Sequence, residues 1–245
     1  MPINWPRHRR EAHQLTPLRE FLKQIVYGGN DGIVTTFAVV AGFAGAASEG
    51  VAEFGALAVL VFGFANLFAD GVSMGLSEFL SGRSQRDLYR AQHARERREL
   101  ARSPAAERAE LEQILRERGL SREDARQAAG LLLRSPEFVA DLMMAYEFEM
   151  TDPRSVNPVW DGLSTFFAFI SFGLIPLIPW MLPLEAHAAL PVSMAATLAA
   201  LMLLGLMRWW ATRESPLRSV GETVLVGTVC AAVAYAAGAL VAGFA

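Results

Sequence analysis

Five apolar stretches, at residues 23–47, 54–81, 159–182, 189–209 and 219–244, each match the length of a helix that crosses a bilayer. Such a helix needs roughly 20 mostly apolar residues, so five spans are expected. The chain is 53% hydrophobic, yet the stretch from about Arg83 to Asn157 is strongly charged. Its composition is therefore split into apolar outer parts and a polar centre. None of the stretches reads as a cleaved leader, because the first is too long and no short basic segment precedes it. The lone Cys230 lies in the last stretch, which leaves neither a disulfide framework nor a thiolate metal site.

The distribution of Arg and Lys orients these spans. Arg7, Arg9, Arg10, Arg19 and Lys23 precede the first, the middle region is rich in Arg, and Arg208, Arg213 and Arg218 lie between the fourth and fifth. The connections 48-SEGVAE-53 and 184-LEAHAAL-190 carry no Lys or Arg. An N-terminus and middle region inside, with the C-terminus outside, satisfies every loop. The expected architecture is an all-α membrane protein with five transmembrane helices and a cytoplasmic helical metal-binding domain between the second and third. Its parts are a cytoplasmic segment over 1–20, spans one and two over 21–82, the inserted domain over 83–158, and spans three to five over 159–245. Segment 1–20 fits an interfacial amphipathic stretch or a disordered tail equally well.

Helix punctuation organises the middle domain. Nothing breaks span two before Ser103-Pro104, so it runs on through 83-RSQRDLYRAQHARERRELAR-102. Ser103 is placed to cap a second helix, with Pro104 at its first position. Gly119 closes that helix, and 121-SRED-124 resembles a capping box opening a third. Ser135-Pro136 opens a fourth, expected to end near Asp152-Pro153.

Acids recur on these helices at spacings that share a face: Glu96 with Glu99, Glu107 with Glu110, and Met143 with Glu147, Met144 alongside. Helix bundles build inward carboxylate metal sites in this way. Carboxylate oxygens suit Fe2+, Mn2+ or Ca2+, and thioethers lean toward a softer transition metal. A solvated salt-bridge face fits the same acids, since Arg95, Arg97, Arg98 and Arg108 lie among them. The Met pair also fits simple packing. His93 falls on the face of Glu96.

Span two carries a polar stripe of Asn66, Asp70, Met74 and Glu78, one residue per helical turn. A carboxylate at the bilayer centre costs roughly 2.5–3.5 kcal/mol, so it faces a partner, an ion or a water-filled path. If spans one and two form a hairpin about residues 48–53, Asp31 and Asp70 each lie 16 residues from it. At about 1.5 Å per residue they share one level, roughly 24 Å from the outer edge. The small-residue pairs Gly28/Gly32 and Gly71/Gly75 suit close approach of the two helices. Glu78 falls level with Lys23, which makes an ion pair there as plausible as a transport role. Asp161 and Glu222 sit where helix N-termini favour carboxylates.

The strings 31-DGIVTTFAVVAG-42, 70-DGVSMGLSEFLSGRSQRD-87, the paired Glu of 96–110, 143-MMAYE-147 and 173-GLIPLIP-179 resemble the vacuolar iron transporter family, from about Tyr27 to the end. The resemblance implies a homodimer with its transport path between the protomers. It implies that Asp31 and Met74 translocate metal, and that Glu96, Glu99, Glu107, Glu110, Met143, Met144 and Glu147 form a cytoplasmic metal-binding domain. One position departs: plant-type members carry a glutamate eight residues before the Met of span two, where this chain has Asn66. Asp70, one turn along, is placed to supply the missing charge.

These readings converge on a non-enzymatic divalent-metal/proton antiporter moving Fe2+, and Mn2+ as a second cargo, out of the cytoplasm. Asp31, Asp70, Met74, Asn66 and Glu78 would line the path. The metal is cargo and no cofactor is expected. The partners expected are protons, membrane lipid and a second copy of the chain, without nucleic acid, in a bacterial inner membrane. The alternative is a membrane-anchored iron-binding or ferroxidase-like protein.

Overall fold

The computed structural model describes residues 17–46, 52–153, 157–184 and 186–242. Most of segment 1–20 and most of the 48–53 turn lie outside them. The described residues are mostly helical, with no strand among them. After a turn of helix at Pro17–Glu20, the main helices are α1 (Leu22–Ala46), α2 (Ala52–Arg102), α3 (Pro104–Glu117), α4 (Arg122–Leu132), α5 (Pro136–Tyr146), α6 (Pro158–Gly173), α7 (Ala186–Thr212) and α8 (Pro216–Ala242). The chain divides into two compact units, one of residues 1–79 with 159–245 and the other of residues 80–158.

Four segments are long and apolar enough to cross a membrane: the apolar part of α2, Pro158–Met181, α7 and α8. The first stretch forms a helix of sufficient length, the 25-residue α1. Asn30, Asp31, Thr35, Thr36 and several glycines dilute its apolarity, so it is not among the four. On α2, Leu57, Val61, Phe62, Phe68, Val72 and Leu76 all remain exposed. A contiguous apolar surface of this kind belongs in lipid or against another apolar surface.

Inside the first unit, Phe37, Val40 and Ala41 of α1 pack with Val59 and Leu67 of α2 and with Phe169 and Leu177. Ile33 packs on Ala200, Leu201 and Leu204 of α7. The glycine pairs do not serve a direct α1–α2 approach, as the sequence reading expected. Both face α6. A Cβ on Gly32 would stand 2.4 Å from the Phe169 carbonyl oxygen, and one on Gly75 2.9 Å from that of Gly162. Gly28 meets the Thr165 carbonyl and Gly71 the Ile170 side chain in the same way. Small residues let backbones approach this closely where side chains could not.

The third stretch, expected as one helix over 159–182, is broken. After α6 come a 3₁₀ turn at Ile175–Leu177 and a short helix at Ile178–Met181. Pro176 and Pro179 cause the change, because proline lacks the N–H that a regular ladder needs. Pro179 has no donor for the Pro176 carbonyl three residues back, and Ser193 of α7 supplies one, its hydroxyl donating at 2.7 Å in a buried setting.

In the second unit, α2 continues unbroken to Arg102, and Pro104 and Pro136 stand in the first turns of α3 and α5. Gly119 takes φ +102° in the turn between α3 and α4. Ser121 caps α4 by accepting the Asp124 backbone N–H at 3.1 Å. The helix expected to reach Asp152-Pro153 stops at Tyr146. Three amides fold back on its end: Glu147 and Phe148 donate to the Met143 carbonyl and Met150 to that of Met144. Glu149 takes φ 51°, which diverts the chain. Leu100, Leu111, Ala129, Val139, Ala140 and Met143 form the core of this unit.

Candidate metal path and carboxylate cluster

Asp31 on α1 and Asp70 on α2 are electrostatic neighbours, each half-buried, in the first unit. Eight residues further along each helix, Lys23 Nζ lies 3.2 Å from Glu78 Oε1. The ion pair and the electrostatic coupling lie at matching spacings on the two helices, as an antiparallel register of α1 and α2 requires. Met74, between Asp70 and Glu78, is partly buried against the apolar cluster around Phe37 and Leu67.

Asn66 stands apart from the acids. It lines a largely apolar cleft of about 580 Å³ with Ala38, Val39, Phe43 and Phe62. Asp31 opens instead onto a cleft of about 820 Å³ between α1, α7 and α8, whose polar lining includes Lys23, Asn30, Arg208 and Glu222. The Asn30 side-chain carbonyl is buried there without a hydrogen-bond partner. Glu222 does more than sit near a helix start: Arg208 Nη2 is 2.6 Å and Arg218 Nε 2.9 Å from its carboxylate. Sequence reading missed Arg208 as its partner, since the pair joins α7 to α8 across a loop. Arg208 near the end of α7, Arg213 in the loop and Arg218 near the start of α8 were the available signal.

In the second unit the acids separate by environment. Glu96 is 1% exposed and Glu107 5%. Each has one carboxyl oxygen buried without a hydrogen-bond partner, Oε1 of Glu96 and Oε2 of Glu107. Burial pushes the Glu96 carboxyl up to about 8, reinforced by its hydrogen bond to Glu107 and by the charges of Glu107, Glu147 and Glu99. Glu107 is also raised, mainly by burial and then by Glu110 and Glu99, although its hydrogen bond with Glu96 works the other way. Glu147 is raised by burial and by Glu110, Glu107 and Glu99. The buried Glu96 and Glu107 thus feel the charges of their neighbours most strongly, as carboxylates held in a poorly solvated place must.

The rim of the group differs from its centre. Glu99 pairs with Arg95 at 2.9 Å, while Glu110 and Glu147 are exposed. Met143 and Met144 are fully buried, and Met143 belongs to the apolar core. Among the described residues no three His, Cys, Asp or Glu side chains converge as a ready-made metal site. His93 does not join Glu96; its Nε2 lies 3.1 Å from Asp141 on α5, and its ring stacks on Tyr89. Asp141 was absent from the sequence reading, because that contact crosses 48 residues of chain.

Known proteins are similar to this chain over most of its length. "Vacuolar iron transporter 1" of Arabidopsis thaliana is 31% identical over 229 residues, covering 93% of this chain and 88% of that protein. "Vacuolar iron transporter 1" of Eucalyptus grandis is 31% identical over 227 residues, 92% and 88% of the two chains. "Vacuolar iron transporter" of Toxoplasma gondii is 33% identical over 240 residues, 94% and 77%. The sequence profile of the VIT family matches residues 22–239, both helical units included. The chain belongs to the VIT family.

Proposed function

We propose that this chain is a divalent-metal/proton antiporter that carries Fe2+, and Mn2+ as a second cargo, out of the cytoplasm. The observation that carries the reading is the acidic pair Asp31–Asp70, held between two helices of the apolar unit. Two carboxylates side by side in such a place repel each other and are relieved by a shared dication or by protons. One site that takes either metal or protons, never both in full, is the elementary device of exchange. The names of the relatives, all vacuolar iron transporters, support iron as the cargo.

In this reading α1 is a fifth span, the unit of residues 80–158 is cytoplasmic, and two copies pair with the path between them. The Glu96–Glu107 pair with Glu99, Glu110, Glu147 and the Met143/Met144 thioethers captures metal, displacing the proton that burial keeps on Glu96. The ion then passes to Asp31, Asp70 and Met74, and protons from the far side reset those carboxylates. The engagement of His93 with Asp141 argues against the ferroxidase-like alternative, which needs an imidazole among the clustered Glu.

The test is flux in proteoliposomes loaded with a metal-sensitive and a pH-sensitive dye. Asp31→Ala and Met74→Ala are each expected to abolish metal-dependent proton flux while the protein still elutes as a folded species. Wild-type flux in either variant refutes the path.

A further inference from the structure

Below the acidic pair, the ladder on α2 continues through Met74 to Glu78, and Glu78 is already occupied by Lys23. The two partners are unequal. The Lys23 side chain is 74% exposed, whereas that of Glu78 is 19% exposed. One is free to swing into water on a flexible stem; the other stays where the helix places it. Their register is equally specific. Lys23 lies eight residues from Asp31 on α1, and Glu78 lies eight from Asp70 on α2, so the pair stands a little over two helical turns, roughly 12 Å, beyond the acidic pair. Met74, midway, offers a soft sulfur between the two levels.

We propose that Glu78 is the entry ligand of the metal path and that Lys23 is its built-in competitor, an ammonium that holds the site until a divalent cation displaces it. This inference rests on the transport function proposed above and on that reading's cytoplasmic placement of Lys23 and Glu78. The physical basis is charge and hydration. A dication is attracted to Glu78 twice as strongly as an ammonium at equal distance. The ion pair it replaces is of the exposed, weakly held kind. The released ammonium regains full hydration in water. A monovalent ion has no such advantage over Lys23, so the exchange also selects for divalent cargo. Lys23 returning to Glu78 behind the ion hinders its escape.

The experiment measures initial metal uptake against metal concentration in proteoliposomes of the full chain, for wild type, Lys23→Gln, Lys23→Arg, Glu78→Gln and the double variant Lys23→Gln/Glu78→Gln. Removing the competitor is expected to lower the half-saturating metal concentration by about two- to fivefold, the range set by an exposed ion pair. Removing the ligand is expected to raise it. The double variant should follow Glu78→Gln, and Lys23→Arg should behave as wild type. A merely structural salt bridge predicts something else: both single variants shift in the same direction with lowered thermal stability. That result, or no shift in either, overturns the inference while leaving transport itself intact. A wild type without metal-dependent flux removes the proposed function, and the inference with it.

Discussion

Replacing Glu96 by Gln removes an ionisable group with almost no change of shape, and so isolates what the buried proton does. With its carboxyl pushed up to about 8, Glu96 is mostly protonated at neutral pH when no metal is present. A carboxylate that binds metal must first lose that proton. At pH 7 a group titrating near 8 gives up about 0.9 of a proton when it is fully ionised by the metal. The same equilibrium makes apparent metal affinity rise about ninefold between pH 6 and 7, and only about twofold between pH 8 and 9. Stability of the metal-free protein runs the opposite way. The folded state holds this proton more tightly than an unfolded glutamate titrating near 4.5, so stability is greatest in acid and is lost as pH climbs through about 8. The shift alone bounds that loss at about 5 kcal/mol, and solvent screening of the exposed Glu147 and half-buried Glu99 charges makes it smaller. Isothermal titration of the detergent-solubilised full chain with Mn2+, in buffers of different ionisation enthalpy, counts the protons directly. The Glu96→Gln protein should bind more weakly, release about one proton fewer per metal and show a shallower rise below pH 8, the raised Glu107 and Glu147 carboxyls carrying what remains. An unchanged proton count in that variant would refute the assignment of the proton to Glu96.

Two further substitutions examine the frame that holds these groups. Gly32→Ala drives a Cβ to within 2.4 Å of the Phe169 backbone oxygen, where no flexible side-chain end can yield. It should destabilise the apolar unit by about 1–3 kcal/mol, read as a lowered midpoint in thermal size-exclusion chromatography. An unaltered midpoint would mean that α1 and α6 can separate freely. Ser121→Ala removes the hydroxyl that accepts the Asp124 amide and should cost about 1 kcal/mol. Hydrogen exchange at the first turn of α4 should quicken in that variant, and unchanged exchange there would show the cap to be idle.

Local rules were enough for much of the helical frame, and particular residues show why. The uninterrupted course of α2 to Arg102 follows from the lack of any breaker before Ser103-Pro104. The starts of α3 and α5 follow from Pro104 and Pro136 in their first turns, although the Ser103 and Ser135 hydroxyls make no cap hydrogen bond, and that of α4 follows from the Ser121 cap. The pairing of Lys23 with Glu78 was legible because two antiparallel helices joined by a short turn convert residue counts into depth. The end of α5 was not legible, since amides folding back around a left-handed Glu149 leave no Gly or Pro signal at that point. Nor was the break after α6 foreseen, though Pro176 and Pro179 stood in plain view; an apolar run long enough to span concealed what two missing N–H groups do to it.

The sequence by itself determined an all-helical chain in two compositions, apolar and charged, with acids spaced to share helix faces. Periodicity, capping and apolar length act within a few residues, and each can be read one segment at a time. Only the tertiary structure decided which of those acids matter to one another. It buried Glu96 against Glu107 while giving Glu99 to Arg95, turned His93 toward Asp141, and set both glycine pairs against α6. Those outcomes depend on which helix lies opposite. Burial and charge coupling belong to pairs of surfaces, and a single segment does not carry its partner's identity.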